Sequence, residues 1–420
     1  MTSAEQVATG RGSLLSVNAY HYARGGADIF YLNHAALMER RGWTNTFSSM
    51  RHPENMPCED EAFFVDEIDF ERRGSVGKML ADATRVVYSL EAREKIGKLL
   101  DTRRIDIAHV HNIYHHQSPS ILDELRARRI PIVLTAHDLK LACPAYTMLN
   151  GSGVCEKCKG GRLWNVVANR CIKGSVAASG LIMLESAVHK LLKLYSRNVD
   201  RIIVPSAFYR QKLIEWGWDP KQITLIRNFV TFPRQADPGS VENGIVYFGR
   251  LSPEKGLVTL IRAAKLSGVP VKIIGRGPQL DELRTLVEDL GAPVEFLGFL
   301  QGDALWSVVG AARAVVLPSE WYENSPLSVL EAFGRGKPLI GARIGGIPEL
   351  IEEGVTGWSF ESGNVESLAE TLRRVSALPA DTLRDMARAC RTYVESNHSE
   401  DVYYAQISDL YDAVMRSPRG

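Results

Sequence analysis

GIVYFGRLSPEKGLVTLIRAAKLSGVPVKIIGRGP, residues 244–278, begins and ends on short β-rich runs, with room between them for one crossover helix. That is the form of a βαβ unit, because parallel strands need a connection of a dozen or more residues. The pattern continues through PVEFLGFL (293–300), ARAVVLPS (312–319) and PLIGARIGG (338–346). An earlier series runs through SLLSVNAY (13–20), DIAHVHN (106–112), PIVLTAHD (131–138), RIIVPS (201–206) and ITLIRN (223–228). TFPRQADPGSVENG (231–244), rich in Pro, Gly and polar residues, separates the two and is taken as the interdomain linker. The expected fold class is α/β, with two facing Rossmann-like doubly wound domains, residues 1–236 and 237–398. Residues 139–180 interrupt the first series as an insertion. In 399–420, the apolar residues of SEDVYYAQISDLYDAVM recur at helical spacing, so a C-terminal helix is expected there, packing back on the N-terminal domain. Doubly wound domains place their functional loops at the carboxyl ends of their strands, so chemistry is expected in the interdomain cleft.

The composition fits two globular domains: 420 residues, 45% apolar and 24% charged. Disorder, collagen and disulfide scaffolds are excluded. No apolar run reaches the roughly 18 residues of a membrane span. MTSAEQVATGRGSLLSVNAY lacks a basic segment followed by a long apolar stretch, so a cytoplasmic location is expected. The net charge of +1 conceals 14 basic against 5 acidic residues in 151–236, whereas Pro53–Glu71 holds eight carboxylates. The basic segment points to an anionic partner. Within LIMLESAVHKLLKLYSR (181–197), Leu181, Leu184, Val188, Leu191, Leu192 and Tyr195 fall at helical intervals beside Lys190, Lys193 and Arg197. A core helix is the expected reading, and a basic amphipathic helix resting on an anionic membrane face is the alternative.

EWYENSPLSVLEAFGRGKPLI (320–340) carries the densest chemistry. Pro326 suits the first turn of a helix. Glu323 then lies on the loop leading in, with Asn324, Ser325 and the amides of Ser325 and Leu327 aimed into the cleft. Glu331 lies about one turn inside, where a carboxylate can accept two vicinal hydroxyls such as those of a ribose. Arg250 and Lys255 in YFGRLSPEKG (247–256) stand at a strand end beside a helix start, a cation pair suited to a diphosphate. The glycines of IGRGP (274–278) permit close backbone approach. Gly25-Gly26 opens the first helix and offers amides to a phosphate, but the G-x-G-x-x-G fingerprint is absent, which lowers an NAD reading. His137 ends a strand on the cleft side with Asp138 beside it, as a hydrogen-bond donor or base. His109, His111, His115 and His116 lack a matching carboxylate cluster and read as packed side chains.

Four of the six cysteines form C-x11-C-x2-C-x12-C, from Cys143 through Cys155 and Cys158 to Cys171. Four thiols around such a knuckle fit structural zinc, with an iron–sulfur cluster or unligated thiols as alternatives. A site filled by four thiolates leaves no open position, so no catalytic metal is expected.

Together these segments resemble the retaining glycosyltransferases of family 4, which have the GT-B fold. YFGRLSPEKG, IGRGP, FLGFL, Glu323/Glu331 and GGIPELIEEGVTGW occur in the family's order, and the Gly25-Gly26 loop, HVHN, TAHD, VPSAF and LIRNFV match its N-terminal domain. The resemblance implies that Arg250 and Lys255, with backbone at Gly25 and Gly26, hold the donor diphosphate. Glu331 would bind the ribose, and Arg276, Phe299 and Leu300 would border the base. Glu323, with the amides of Asn324, Ser325 and Leu327 and with Pro326 among them, would contact the donor sugar, and His137 would approach the reacting carbon. LIRNFV departs from the common Asn-Gly-Val form at Phe229, and only some members carry the cysteine insertion. The expected activity is transfer of a sugar from a nucleotide-diphosphate sugar to a growing glycan or lipid-linked acceptor in surface polysaccharide synthesis, with peripheral membrane contact and no nucleic-acid partner. A sugar-nucleotide epimerase and a non-catalytic nucleotide-sugar or metal sensor are the competing readings.

Overall fold

The computed structural model describes residues 10–68, 76–232 and 244–417. The first nine residues and most of the linker, 233–243, lie outside them. The first sheet contains β1 (Gly12–Val17), β2 (Trp43–Ser48), β3 (Ile107–Val110) and β4 (Ile132–Thr135). After the insertion hairpin of β5 (Leu149–Asn150) and β6 (Gly153–Val154) come β7 (Arg201–Val204) and β8 (Ile223–Leu225). The second sheet contains β9 (Ile245–Phe248), β10 (Val271–Ile274), β11 (Val294–Gly298), β12 (Ala314–Leu317), β13 (Leu339–Ala342) and β14 (Gly357–Phe360). Both six-stranded sheets are parallel throughout, in the orders β2-β1-β3-β4-β7-β8 and β11-β10-β9-β12-β13-β14. Helices cover both faces, so the central strands β3, β4, β12 and β13 bury every residue and read as unbroken apolar runs.

Strand order reverses direction between β1 and β3 in the first sheet and between β9 and β12 in the second. Neighbouring loops at such switch points diverge, leaving a crevice at the carboxyl ends of the strands. Helix Ala380–His398 places Met386, Cys390 and Val394 in the second domain's core. Ser399 then caps helix Glu400–Arg416, whose Tyr403, Ile407, Tyr411 and Val414 join Leu14, Phe30 and Trp43 in a core of the first domain. The two chain crossings are tied together: Val230 N–H donates to the His398 carbonyl (3.0 Å), and His398 Nδ1 bonds the Asn228 carbonyl (2.6 Å).

One helix departs from its sequence reading. Helix Val176–Leu191 buries Ser179, Ile182, Glu185, Ser186 and His189, whereas Leu184, Leu191 and Leu192 are exposed. The face is turned by polar partners. Lys140 donates to Glu185 at 2.7 Å with both side chains buried, and His189 bonds the Val87 carbonyl at 2.7 Å. Leaving those groups unpaired would cost more than exposing leucines. The helix also stops short of the expected span, at left-handed Lys193, and Tyr195 is buried from the next short helix, Leu194–Asn198.

Candidate functional site

The loops after β9 and β12 meet at the second switch point. Gly256 allows this contact, and two glycines after β10 let that loop pack on the one after β9. A Cβ on Gly256 (φ +68°) would lie 1.9 Å from the Pro318 carbonyl oxygen, one on Gly275 would lie 1.9 Å from that of Gly249, and one on Gly277 would lie 2.1 Å from that of Leu251. In IGRGP, therefore, the backbone that approaches the glycines closely is that of the neighbouring loop. The resulting packing places Lys255 Nζ 2.6 Å from Glu323 Oε1, which also accepts from Ser319 Oγ at 2.7 Å. Burial alone would raise the Glu323 pKa, but the Lys255 ammonium and the hydrogen bonds outweigh it and hold the carboxyl below its usual range. Arg250 follows β9 and is exposed, and its guanidinium makes no ion pair among the described residues. Pro326 occupies the N-cap position of helix Leu327–Gly334, one residue before the expected first turn, and no side chain caps the helix. The first amides of a helix have no intrahelical acceptor and suit a ligand oxygen.

Glu323 and its neighbours are held from both domains. Gly346 N–H donates to the Glu323 carbonyl at 2.7 Å, and a Cβ on left-handed Gly345 (φ +60°) would strike that oxygen at 2.5 Å. The Asn324 side chain does not point at a ligand, contrary to its sequence reading. It donates to the Ala136 and His137 carbonyls, both at 3.1 Å, and accepts from Ser206 Oγ at 2.7 Å, so each bond crosses between domains. Glu349 crosses as well, accepting from the amides of Ala207 (2.9 Å) and Phe208 (2.5 Å) at the start of helix Ala207–Glu215. An anion there complements the positive helix end. Leu327 completes the contact, 3.8 Å from the position a Cβ would take on Gly26. Sequence reasoning passed over Ser206 and Ser319, which end apolar strands without any charged pattern, and Glu349, which nothing local in GGIPELIEEGVTGW sets apart from Glu352 and Glu353.

Replacing Asn324 with alanine is expected to weaken domain closure. Two carbonyls and the Ser206 hydroxyl would lose their partner, at about 1–3 kcal/mol for the unsatisfied set. Small-angle scattering of N324A should show an expanded particle; an unchanged radius would show that Glu349 alone suffices.

Glu331 stands one turn into the helix with its carboxylate accepting no hydrogen bond among the described residues. Burial raises its pKa and Arg335 offsets part of that. Arg335 does not neutralise it by a direct bond. It donates to the Glu331 carbonyl (3.1 Å) and lies over the Trp306 ring (3.4 Å). A half-buried carboxylate with open lone pairs suits a diol. At the ends of β10 and β11, Arg276 lies 4.6 Å over the exposed Phe299 ring, with Leu300 next to it.

In the first domain, His137 Nε2 shares a 2.8 Å hydrogen bond with His111 Nδ1. Asp138 is not the partner, because its Oδ1 accepts from the backbone N–H of Lys140 at 2.9 Å. Behind His111, its ring stacks on His109 at 4.4 Å, and His109 bonds Tyr411 and Thr135 through its two nitrogens. His34, which lies in no motif, completes the cluster. Nitrogens of His34, His109 and His111 lie within 4.8 Å of one another. Burial lowers all four pKa values, to about 3 for His34 and His137, so the rings stand neutral. The four cysteines of the insertion line one small enclosed cavity, away from these groups.

Family comparison agrees with this division of the chain. A model described as "Glycosyltransferase Family 4" matches residues 24–232, and one described as "Glycosyl transferases group 1" matches residues 231–393. The chain is 34% identical over 201 residues to sulfoquinovosyl transferase SQD2 of Arabidopsis thaliana, covering 44% of this chain but only 39% of that protein. It is 30% identical over 301 residues to the glycogen synthase of Mycobacterium tuberculosis H37Rv, covering 69% of this chain and 70% of the synthase. The fold is shared with HepE of Anabaena, solved with UDP and glucose: TM-score 0.64, 18% identity, 96% and 99% coverage. With its two α/β domains and the switch-point loops they present, the chain belongs to the group 1, family 4 glycosyltransferases and has their GT-B fold.

Proposed function

We propose that the chain is a retaining hexosyltransferase that moves a sugar from a nucleotide-diphosphate sugar to a growing glycan, with a lipid-linked precursor of a surface polysaccharide as acceptor. The observation that carries the reading is the switch-point constellation: Lys255 bound to Glu323, exposed Arg250, an uncapped helix start, and Glu331 with its lone pairs open. A glycan-building relative, the glycogen synthase, supports the acceptor class. In this reading Arg250 and Lys255 bind the diphosphate, Glu331 takes the ribose hydroxyls, and Arg276 with Phe299 flanks the base. The bond from the anomeric carbon to the phosphate oxygen breaks as the acceptor oxygen bonds that carbon on the same face, and the acceptor proton passes to the leaving phosphate. The cations stabilise the departing charge, and the closed cleft excludes water. The chain's own cations fill this role, so the step calls for no catalytic metal.

The test is a panel of UDP-, GDP-, ADP- and TDP-sugars, followed by thermal stability and nucleotide release. One nucleotide class at about 100 times its Kd is expected to stabilise the folded protein by about 2.7 kcal/mol. Glu331→Ala should weaken that response by roughly tenfold or more in affinity, the worth of a charged hydrogen bond. No response to any nucleotide would overturn the reading, and an altered nucleotide sugar without acceptor would mean an epimerase.

Peripheral contact with the cytoplasmic membrane face is supported by Leu184, Leu191 and Leu192, exposed beside Lys190 and Lys193. No helix among the described residues is long and apolar enough to cross a membrane. Changing the three leucines to serine is expected to abolish binding to vesicles containing anionic lipid, since each buried leucine contributes about 1.5–3 kcal/mol. Equal binding by wild type and variant would remove the membrane from the proposal.

A further inference from the structure

The cysteine insertion reaches the loop that holds Glu323. The β5–β6 hairpin returns the chain so that Cys155 N–H donates to the Met148 carbonyl at 2.7 Å, and Cys155 and Cys158 then face Cys143 and Cys171 across a cavity of about 10 Å³. All four thiols are free of disulfides, and closing on one ion would draw their sulfurs together, since no three of them stand within 4.8 Å of one another. Lys190 lies in electrostatic range of Cys143 and Cys158, and Lys157 in range of Cys171. Four thiolates around a divalent ion carry a net charge of −2, which two ammonium groups are placed to offset. Within the knuckle stands Glu156. Its Oε1 accepts from Lys212 Nζ at 2.6 Å and from the Tyr322 hydroxyl at 2.9 Å, the second bond crossing to the other domain. Phe208 supports that contact, with its ring centroid 4.8 Å from that of Tyr322. Tyr322 and Asn324 therefore both grip the first domain, and Glu323 between them faces Lys255.

We propose that Cys143, Cys155, Cys158 and Cys171 hold one zinc ion as thiolates, and that this ion fastens the 320–326 loop by fixing Glu156 against Tyr322. Binding releases the thiol protons to solvent and leaves four Zn–S bonds. The ion is structural, because four sulfur ligands leave no position for substrate. Without it the knuckle is a 29-residue span of loop and short helix with little core of its own, and Glu156 has no fixed perch. The inference concerns loop order and does not depend on which sugar, if any, is transferred.

Elemental analysis of the purified full chain is expected to find about one zinc per molecule in a colourless protein, and Cys171→Ser should lose it. Removing zinc with a chelator should speed hydrogen exchange across residues 320–326 by about tenfold, and added zinc should restore protection. Glu156→Gln should keep its zinc yet show the same faster exchange, which separates the ion from the clasp. The chelation arm uses the wild-type chain, so it stands even if Cys171→Ser fails to fold. Absence of metal, or iron with sulfide, would overturn the zinc assignment. Zinc removal without effect on the loop would overturn the coupling, and loss of zinc from Glu156→Gln would overturn the ligand set.

Discussion

Lys255→Met is expected to lower the stability of the second domain by about 3–5 kcal/mol, because it strips the cation from a buried carboxylate and leaves that charge unpaired. Glu323 keeps the Ser319 and Trp321 side chains but loses the ammonium, so its pKa should rise from the depressed value the pair now enforces. The sign follows. Glu323 with a lowered pKa contributes stability above its unfolded value of 4.5 that is lost as pH falls, and the variant should lack this dependence. Turnover of the donor sugar should fall by about 10²–10³, the cost of removing one preorganised donor from a developing anion. The double variant Lys255→Met/Glu323→Gln separates the two effects. It carries no buried charge, so it should recover most of the stability, while turnover stays low because the diphosphate still lacks its cation. Arg250→Met is the converse control, since the exposed guanidinium forms no ion pair: stability should stay near wild type and turnover should fall. Calorimetry beside nucleotide release reads all three. A double variant that recovers turnover would show that Lys255 serves only Glu323 and that the diphosphate is held elsewhere.

The sequence carried the strands well and the partners poorly, for a physical reason. A parallel strand covered on both faces is a local apolar run, so GIVYFGR and ARAVVLPS announce themselves, whereas strand order depends on pairings that no local period records. The edge strands β2 (Trp43–Ser48) and β14 (Gly357–Phe360), less apolar, were in neither series, and nothing local fixes the orders β2-β1-β3 and β11-β10-β9. Lys255 and Glu323 were legible as charges at strand ends, but their 2.6 Å contact spans 68 positions. Asn324 was read as a ligand donor because its place beside Glu323 is local, and its three interdomain bonds are not. The same holds for helix Val176–Leu191, whose buried face is chosen by Lys140, 45 residues away from Glu185. Periodicity ranks side chains by hydropathy, and a buried ion pair reverses that ranking. Cysteine spacing is the counterexample: thiols within 29 residues can be related by a hairpin and a turn, so their convergence on one cavity follows a local pattern. Glu156 to Tyr322, 166 positions apart, does not.

Between pH 7 and pH 5 the first domain is expected to lose most of its stability, through the imidazoles behind the cleft. His34, His109 and His111 are fully buried with pKa values lowered by desolvation, and the titratable groups in contact with them are one another, His137, Tyr31, Tyr403 and Tyr411, the tyrosines being held neutral by burial. For a histidine with a lowered folded pKa, the unfolded chain takes up the proton near 6.5 while the folded chain does not, so stability falls as pH drops below 6.5. At about 1.4 kcal/mol per unit, each ring costs roughly 2 kcal/mol by pH 5, and three cost about 6 kcal/mol. That matches the whole stability of a typical domain, about 5–15 kcal/mol. Asp138 works in the opposite sense. Its carboxyl is raised to about 6 by burial, against the Lys140 amide and ammonium, so protonation on acidification favours the fold by about 1.4 kcal/mol over this range. One carboxyl does not balance three rings, and His137, lowered to about 3, adds to the deficit. Calorimetry across this range should resolve an acid-sensitive transition from a second one that moves little, because residues 237–397 contain no histidine. Proton uptake on unfolding at pH 5, obtained from buffers of different ionisation enthalpy, should exceed three per chain, since burial also lowers His137 to about 3 and His21, His115, His116 and His398 to about 4, and His111→Asn should reduce it by about one. A melting temperature flat from pH 7 to pH 5 would mean that the rings are reached by water and protonate in the folded state. The neutral ring of His137 would then be lost as well, since only the dry packing of His111 behind it keeps that imidazole uncharged at the edge of the cleft.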